Sequence, residues 1–163
     1  EGQLIENIYT RIKQAKAGEL ERMLDSMSSH QPFLISLLSG YHKDVPIGAF
    51  NFIAETIAVI WEYFKDKPNI RKTPLTKSAY KAFERKNAVR LVEFSKMVAQ
   101  DRTELIRTDW SNMRSKILFT MITGKLNDSA EIQELDKFTR GIILLGLASV
   151  IEAMDNIVQG KKV

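Results

Sequence analysis

The segment from Val45 to Phe64 constrains the fold more than any other stretch of this chain. At 100° per residue Asn51, Glu55, Ala58 and Glu62 fall on one narrow strip, and nearly everything else is apolar: Ile47, Phe50, Phe52, Ile53, Ile57, Val59, Ile60, Trp61 and Phe64. A helix apolar over most of its circumference has to be surrounded, at the centre of a bundle or beneath a partner subunit. Asp44 is placed to cap it, and Pro46 suits its opening turn. The remaining residues must then supply helices that wrap it.

They carry the required pattern. Leu4, Ile5, Ile8 and Ile12 recur at three- and four-residue steps on a first helix ending near Gly18, and Leu20, Met23, Leu24 and Met27 mark a second. Pro32 opens a short third helix through Phe33, Leu34, Leu37 and Leu38, which Gly40 closes. Residues 65–76 contain Pro68 and Pro74 and no helical stripe, so they read as the main loop dividing two helical groups. Beyond it Tyr80, Phe83, Asn87, Leu91, Phe94 and Val98 form the seam of a long fifth helix. The pattern weakens at Gln100 to Arg102, which predicts a break near Asp101, and resumes with Leu105, Ile106, Trp110, Met113, Ile117, Leu118 and Met121 before Gly124. Asn127 and Asp128 are placed to cap a final helix running to about Gln159, with Glu131 in capping-box spacing from Asp128. No strand-like alternation and no repeat of solenoid period occurs. The expected fold is all-α, a single-domain bundle of six or seven helices over residues 1–163. A chain of this length buries roughly 68–70% of its unfolded surface, enough for a core without staples.

Composition narrows the chemistry. With no cysteine, disulfides, thiolate metal sites, iron–sulfur clusters and cysteine nucleophiles are all removed, and a reducing compartment is favoured. The longest uninterrupted apolar run, Gly141 to Ile151 with glycine and serine included, is well short of the roughly 18 residues that cross a bilayer. No membrane insertion is expected. Glu1-Gly2-Gln3 has neither the basic region nor the apolar stretch of a signal peptide, and a cytoplasmic location is the expectation.

Charge is unevenly spread. Nine Lys/Arg residues between Lys65 and Arg90 face only Asp66 and Glu84, so that window is +7 while the whole chain is +4. Arg71, Lys72, Lys77, Lys81, Arg85, Lys86 and Arg90 are the candidates for holding a polyanion such as nucleic acid, or an acidic protein surface. No interleaved aromatic is placed for base stacking, and a solvated amphipathic helix has the same charge pattern.

Other constellations are weaker. Gly141 and Gly146 have phosphate-loop spacing, but Leu147 and Ala148 stand where Lys and Ser or Thr are needed, inside a helical stretch. Small residues there suit a close helix crossing instead. His30 and His42 lack a Glu or His at helical metal-site spacing. Glu152 and Asp155 share one side of the last helix and could converge on a cation or act as acid and base, but no third ligand is evident, and the wet margin of an apolar helix is their simplest role. No metal and no cofactor is expected.

The reading favoured by these residues is association, with a second copy or with a protein partner, without an identifiable catalytic motif. Polyanion binding through 65–90 comes second and a carboxylate-based enzyme third. The homo-oligomer interface is expected on the last helix, at Gly141, Ile142, Ile143, Leu144, Gly146, Leu147 and Ala148.

Overall fold

The computed structural model describes residues 1–96 and 113–161. Within them the chain forms eight helices and no strand: α1 (Gly2–Gln14), α2 (Ala17–His30), α3 (Pro32–Asp44), α4 (Ile47–Phe64), α5 (Lys77–Lys96), α6 (Lys116–Asp128), α7 (Ala130–Gln133) and α8 (Lys137–Val158). The all-α architecture follows the stripes, with a higher helix count than expected. The predicted break near Asp101 lies outside the described residues, as do Val98 and the side chains of Leu91 and Phe94.

All eight helices contribute to one apolar core. Helix α4 is its axis, with every residue from Thr56 to Trp61 buried, as a helix apolar around its circumference requires. Helix α1 packs along it through Ile5, Ile8 and Ile12, and α5 packs along α8. Tyr80 lies at Gly146, Asn87 bonds Ser149 and Arg90 bonds Glu152, so α5 and α8 run parallel. On the fifth-helix seam Tyr80 and Asn87 are buried, while Phe83 is only half-buried.

Several expected ends move. Gly18, Gly40 and Gly124 lie inside α2, α3 and α6 instead of ending helices. A glycine in a helix costs about 1 kcal/mol relative to alanine, which packing of the neighbouring turns outweighs. Asp44 is the last residue of α3, and α4 opens at Pro46 with no side-chain cap. Asn127 and Asp128 end α6. The caps are Ser129, which accepts from the Ile132 amide to start α7, and Asp136, whose Oδ1 accepts from the Phe138 and Thr139 amides to start α8. Gly160, at φ +65, does close the last helix.

The 65–76 loop is firmly held. Gln31, fully buried at the α2–α3 junction, donates from Nε2 to the Ile70 and Thr73 carbonyls at 2.6 and 3.1 Å, and its Oε1 accepts from the Leu75 amide at 2.6 Å. Asn69 Nδ2 donates to the Ile157 carbonyl at 3.3 Å.

Two helices, α4 and α8, are long and apolar enough by length and composition to cross a membrane. Counting only uninterrupted apolar residues overlooked both, because isolated polar residues break the runs without changing the average. Over half of each such stretch is covered by the rest of the protein.

Candidate functional site

The middle of α8 gathers the buried polar groups. Every residue from Gly146 to Asp155 is buried, including both carboxylates, so Glu152 and Asp155 are not a wet margin. They also do not converge. Glu152 faces α5: its Oε1 accepts from Arg90 at 2.9 Å, and its Oε2 accepts from Asn87 Nδ2 at 3.4 Å and lies 3.5 Å from the Lys86 ammonium. Asn87 also donates to Ser149 Oγ at 3.1 Å and accepts from Arg90 at 3.1 Å. A buried acid is retained here because cationic and amide donors replace its water.

Asp155 faces the other way. Its Oδ2 accepts from the Ser115 amide at 3.0 Å and its Oδ1 from Ser115 Oγ at 2.7 Å, an anchor just ahead of α6. Burial pushes its acid strength down, raising its pKa despite those two bonds. The nearby Lys67 ammonium, half-buried 3.4 Å above the Tyr63 ring, is pushed below the usual lysine range by the same desolvation. Tyr63, bonded to Glu1, is pushed up to about 12, chiefly by burial. Among the described residues no group of three or more His, Asp or Glu side chains is arranged to hold a metal ion.

A raised carboxyl pKa means that the folded state binds the proton more tightly than the unfolded chain. Asp155 therefore contributes stability at low pH that is lost as pH climbs from about 4, its unfolded value, through its raised folded value. Asn at this position can accept from the Ser115 amide and donate to Ser115 Oγ without a buried charge. Asp155→Asn is expected to hold or raise the melting temperature at pH 7 and to remove that part of the pH dependence. Melts from pH 4 to 8 check it; a large loss at pH 7 would show that the charge itself is needed.

Earlier on the same helix, Gly146 admits the Tyr41 ring. A Cβ at this position would overlap the Tyr41 hydroxyl oxygen and lie 3.1 Å from that of Tyr80. Burial pushes Tyr41 up to about 12 and Tyr80 higher still. Gly146→Ala gains about 1 kcal/mol of helix propensity but meets a clash of about 1–3 kcal/mol, so a net loss of up to about 2 kcal/mol is expected. Tyr41→Phe in the same chain removes the clashing oxygen and should recover part of it, as thermal melts of the single and double variants would register.

The expected interface residues divide. Ile143, Gly146, Leu147 and Ala148 are already buried inside this chain, and Gly141 and Leu144 are half-covered. The apolar surplus that pointed to a partner is, at those four positions, core. Ile142 is exposed, together with Phe138 one turn before it.

The basic residues divide as well. Lys65 pairs with Glu62 at 2.8 Å, Arg71 with Asp66 at 2.6 Å and Lys81 with Glu84, while Lys86 and Arg90 are engaged by Glu152 from another helix. Lys72, Lys77 and Arg85 are exposed and have no ion-pair partner among the described residues. The seven candidates thus do not act as one free set. Of the histidines, His30 bonds the Ser26 carbonyl through Nδ1 and stacks on Trp61, and His42 meets the Phe50 ring edge-on.

Comparison with known proteins returns no match among family models, curated proteins or solved structures.

Proposed function

We propose that this protein acts by association with a second copy of itself, through the exposed opening turns of α8. The observation that carries this reading is the pair Phe138 and Ile142, which are 77% and 46% exposed and stand one helical turn apart. Single exposed apolar residues are ordinary on a protein surface; a bare phenylalanine stacked along a helix with a bare isoleucine is a contact element in want of cover. A two-fold pairing would bring the same two side chains of each copy together. The buried carboxylates of α8 are engaged by structural partners, which favours association over catalysis.

Light scattering at tens of micromolar is the test. The native chain is expected to have the mass of a dimer. Phe138→Lys with Ile142→Lys should give a monomer with an unchanged circular-dichroism spectrum, since both side chains lie outside the core. A native chain that is monomeric at this concentration would end the proposal.

A further inference from the structure

We propose a second contact between copies, made by residues outside the α8 pairing and formed between molecules above the tens-of-micromolar range, in which α2 of one molecule docks along the exposed face of α5 of another. Of the fourteen residues of α2 only Met27 is buried. Ala17, Leu20, Leu24 and Ser28, spaced 3, 4 and 4 apart, form an exposed stripe beside it, with Leu24 46% exposed. Glu21 and Asp25 border that stripe, and neither has an ion-pair partner among the described residues. This is an acidic amphipathic helix laid on the surface with its apolar edge uncovered.

Helix α5 presents the complement. Ser78, Ala82, Arg85 and Val89 follow at steps of 4, 3 and 4, all exposed, and Val89 is 58% exposed. Two small residues and a valine in heptad-like order leave a shallow seam for leucines of a facing helix. Lys77 and Lys81 border the seam beside Arg85, so Leu24 meets Val89, Leu20 lies over the aliphatic stem of Arg85, four residues earlier on each helix, and Glu21 and Asp25 meet the cations. Aliphatic residues within the basic face, without an aromatic one in the seam, suit an acidic amphipathic helix better than a string of phosphates and bases. Each copy carries both halves of the contact.

The absence of cysteine from the chain makes the test direct. A Leu24→Cys chain is mixed with a Val89→Cys chain under mild oxidation, and disulfide-linked species are resolved on a non-reducing gel. The mixed disulfide is expected to form at least tenfold faster than either self-disulfide. Arg85→Glu with Lys81→Glu in the second chain should abolish that preference, and Glu21→Lys with Asp25→Lys in the first should restore it. Equal rates for mixed and self-disulfides, or rates indifferent to charge reversal, would overturn the contact. So would salt-dependent binding of duplex DNA that is lost with the α5 reversal while the disulfide rates stay unchanged, which assigns the face to a polyanion. A parallel Ile142→Cys chain reports the α8 pairing alone, so failure of one contact is distinguished from failure of the other.

Discussion

Trp61→Ala should lower the free energy of unfolding by about 3–5 kcal/mol, a large part of the about 5–15 kcal/mol available to a domain. Trp61 is fully buried on the axial helix, stacked 6.0 Å from the His30 ring. Its removal opens a cavity that surrounding helices fill only in part. Trp61→Phe should cost less, about 1–3 kcal/mol, because the phenyl ring fills most of the space and leaves a smaller cavity. The indole Nε1 is buried without a hydrogen-bond partner among the described residues, so the smaller ring gives up volume but no hydrogen bond. Urea denaturation of the two variants checks both. Equal, large losses would mean that the indole nitrogen is bonded after all.

Glu152→Ala is expected to cost about 3 kcal/mol. Removing one member of a buried pair costs about 3–5 kcal/mol, and the partial exposure of Arg90 together with its bond to Asn87 places this case at the lower end. Asn87, buried with Glu152, loses an acceptor in the same step. The exposed pair Arg71 and Asp66 is the control: Asp66→Ala should stay within about 1 kcal/mol. If the two alanine variants unfold at the same denaturant concentration, Glu152 is not the keystone of the α5–α8 interface.

The helices themselves were legible because local apolar spacing is dictated by the period of the helix: Ile5, Ile8 and Ile12 of α1 lie on the stripe that spacing marks, and α4 was marked by its apolar circumference. The terminators were not, since a glycine can end a helix or lie within one. At Gly18, Gly40 and Gly124 a Cβ would meet nothing within 4 Å, so neither a turn nor a close approach demands glycine there. Gly146 is the reverse case, and its requirement comes from Tyr41, over a hundred residues away in sequence. The carboxylates show the same divide. Glu152 and Asp155 could be placed on one side of a helix from their spacing, yet their partners, Arg90 and Ser115, stand 62 and 40 positions earlier. No local period encodes such pairings. The +7 window was likewise a correct sum whose members part once folded: Lys65, Arg71, Lys81, Lys86 and Arg90 turn to acids, while Lys72, Lys77 and Arg85 face solvent.

The parallel setting of α5 against α8 has a kinetic consequence. Neighbours in sequence such as α2, α3 and α4 can meet with little loop to close, whereas Asn87 finds Ser149, and Arg90 finds Glu152, only after a loop of some sixty residues has been drawn together. That ordering makes the α2–α4 corner the early part of assembly and the α5–α8 seam the late one. Contacts made after the transition state leave the folding rate nearly untouched and act on the reverse step. On this ordering Glu152 is expected to act on how long the folded chain persists rather than on how quickly it forms.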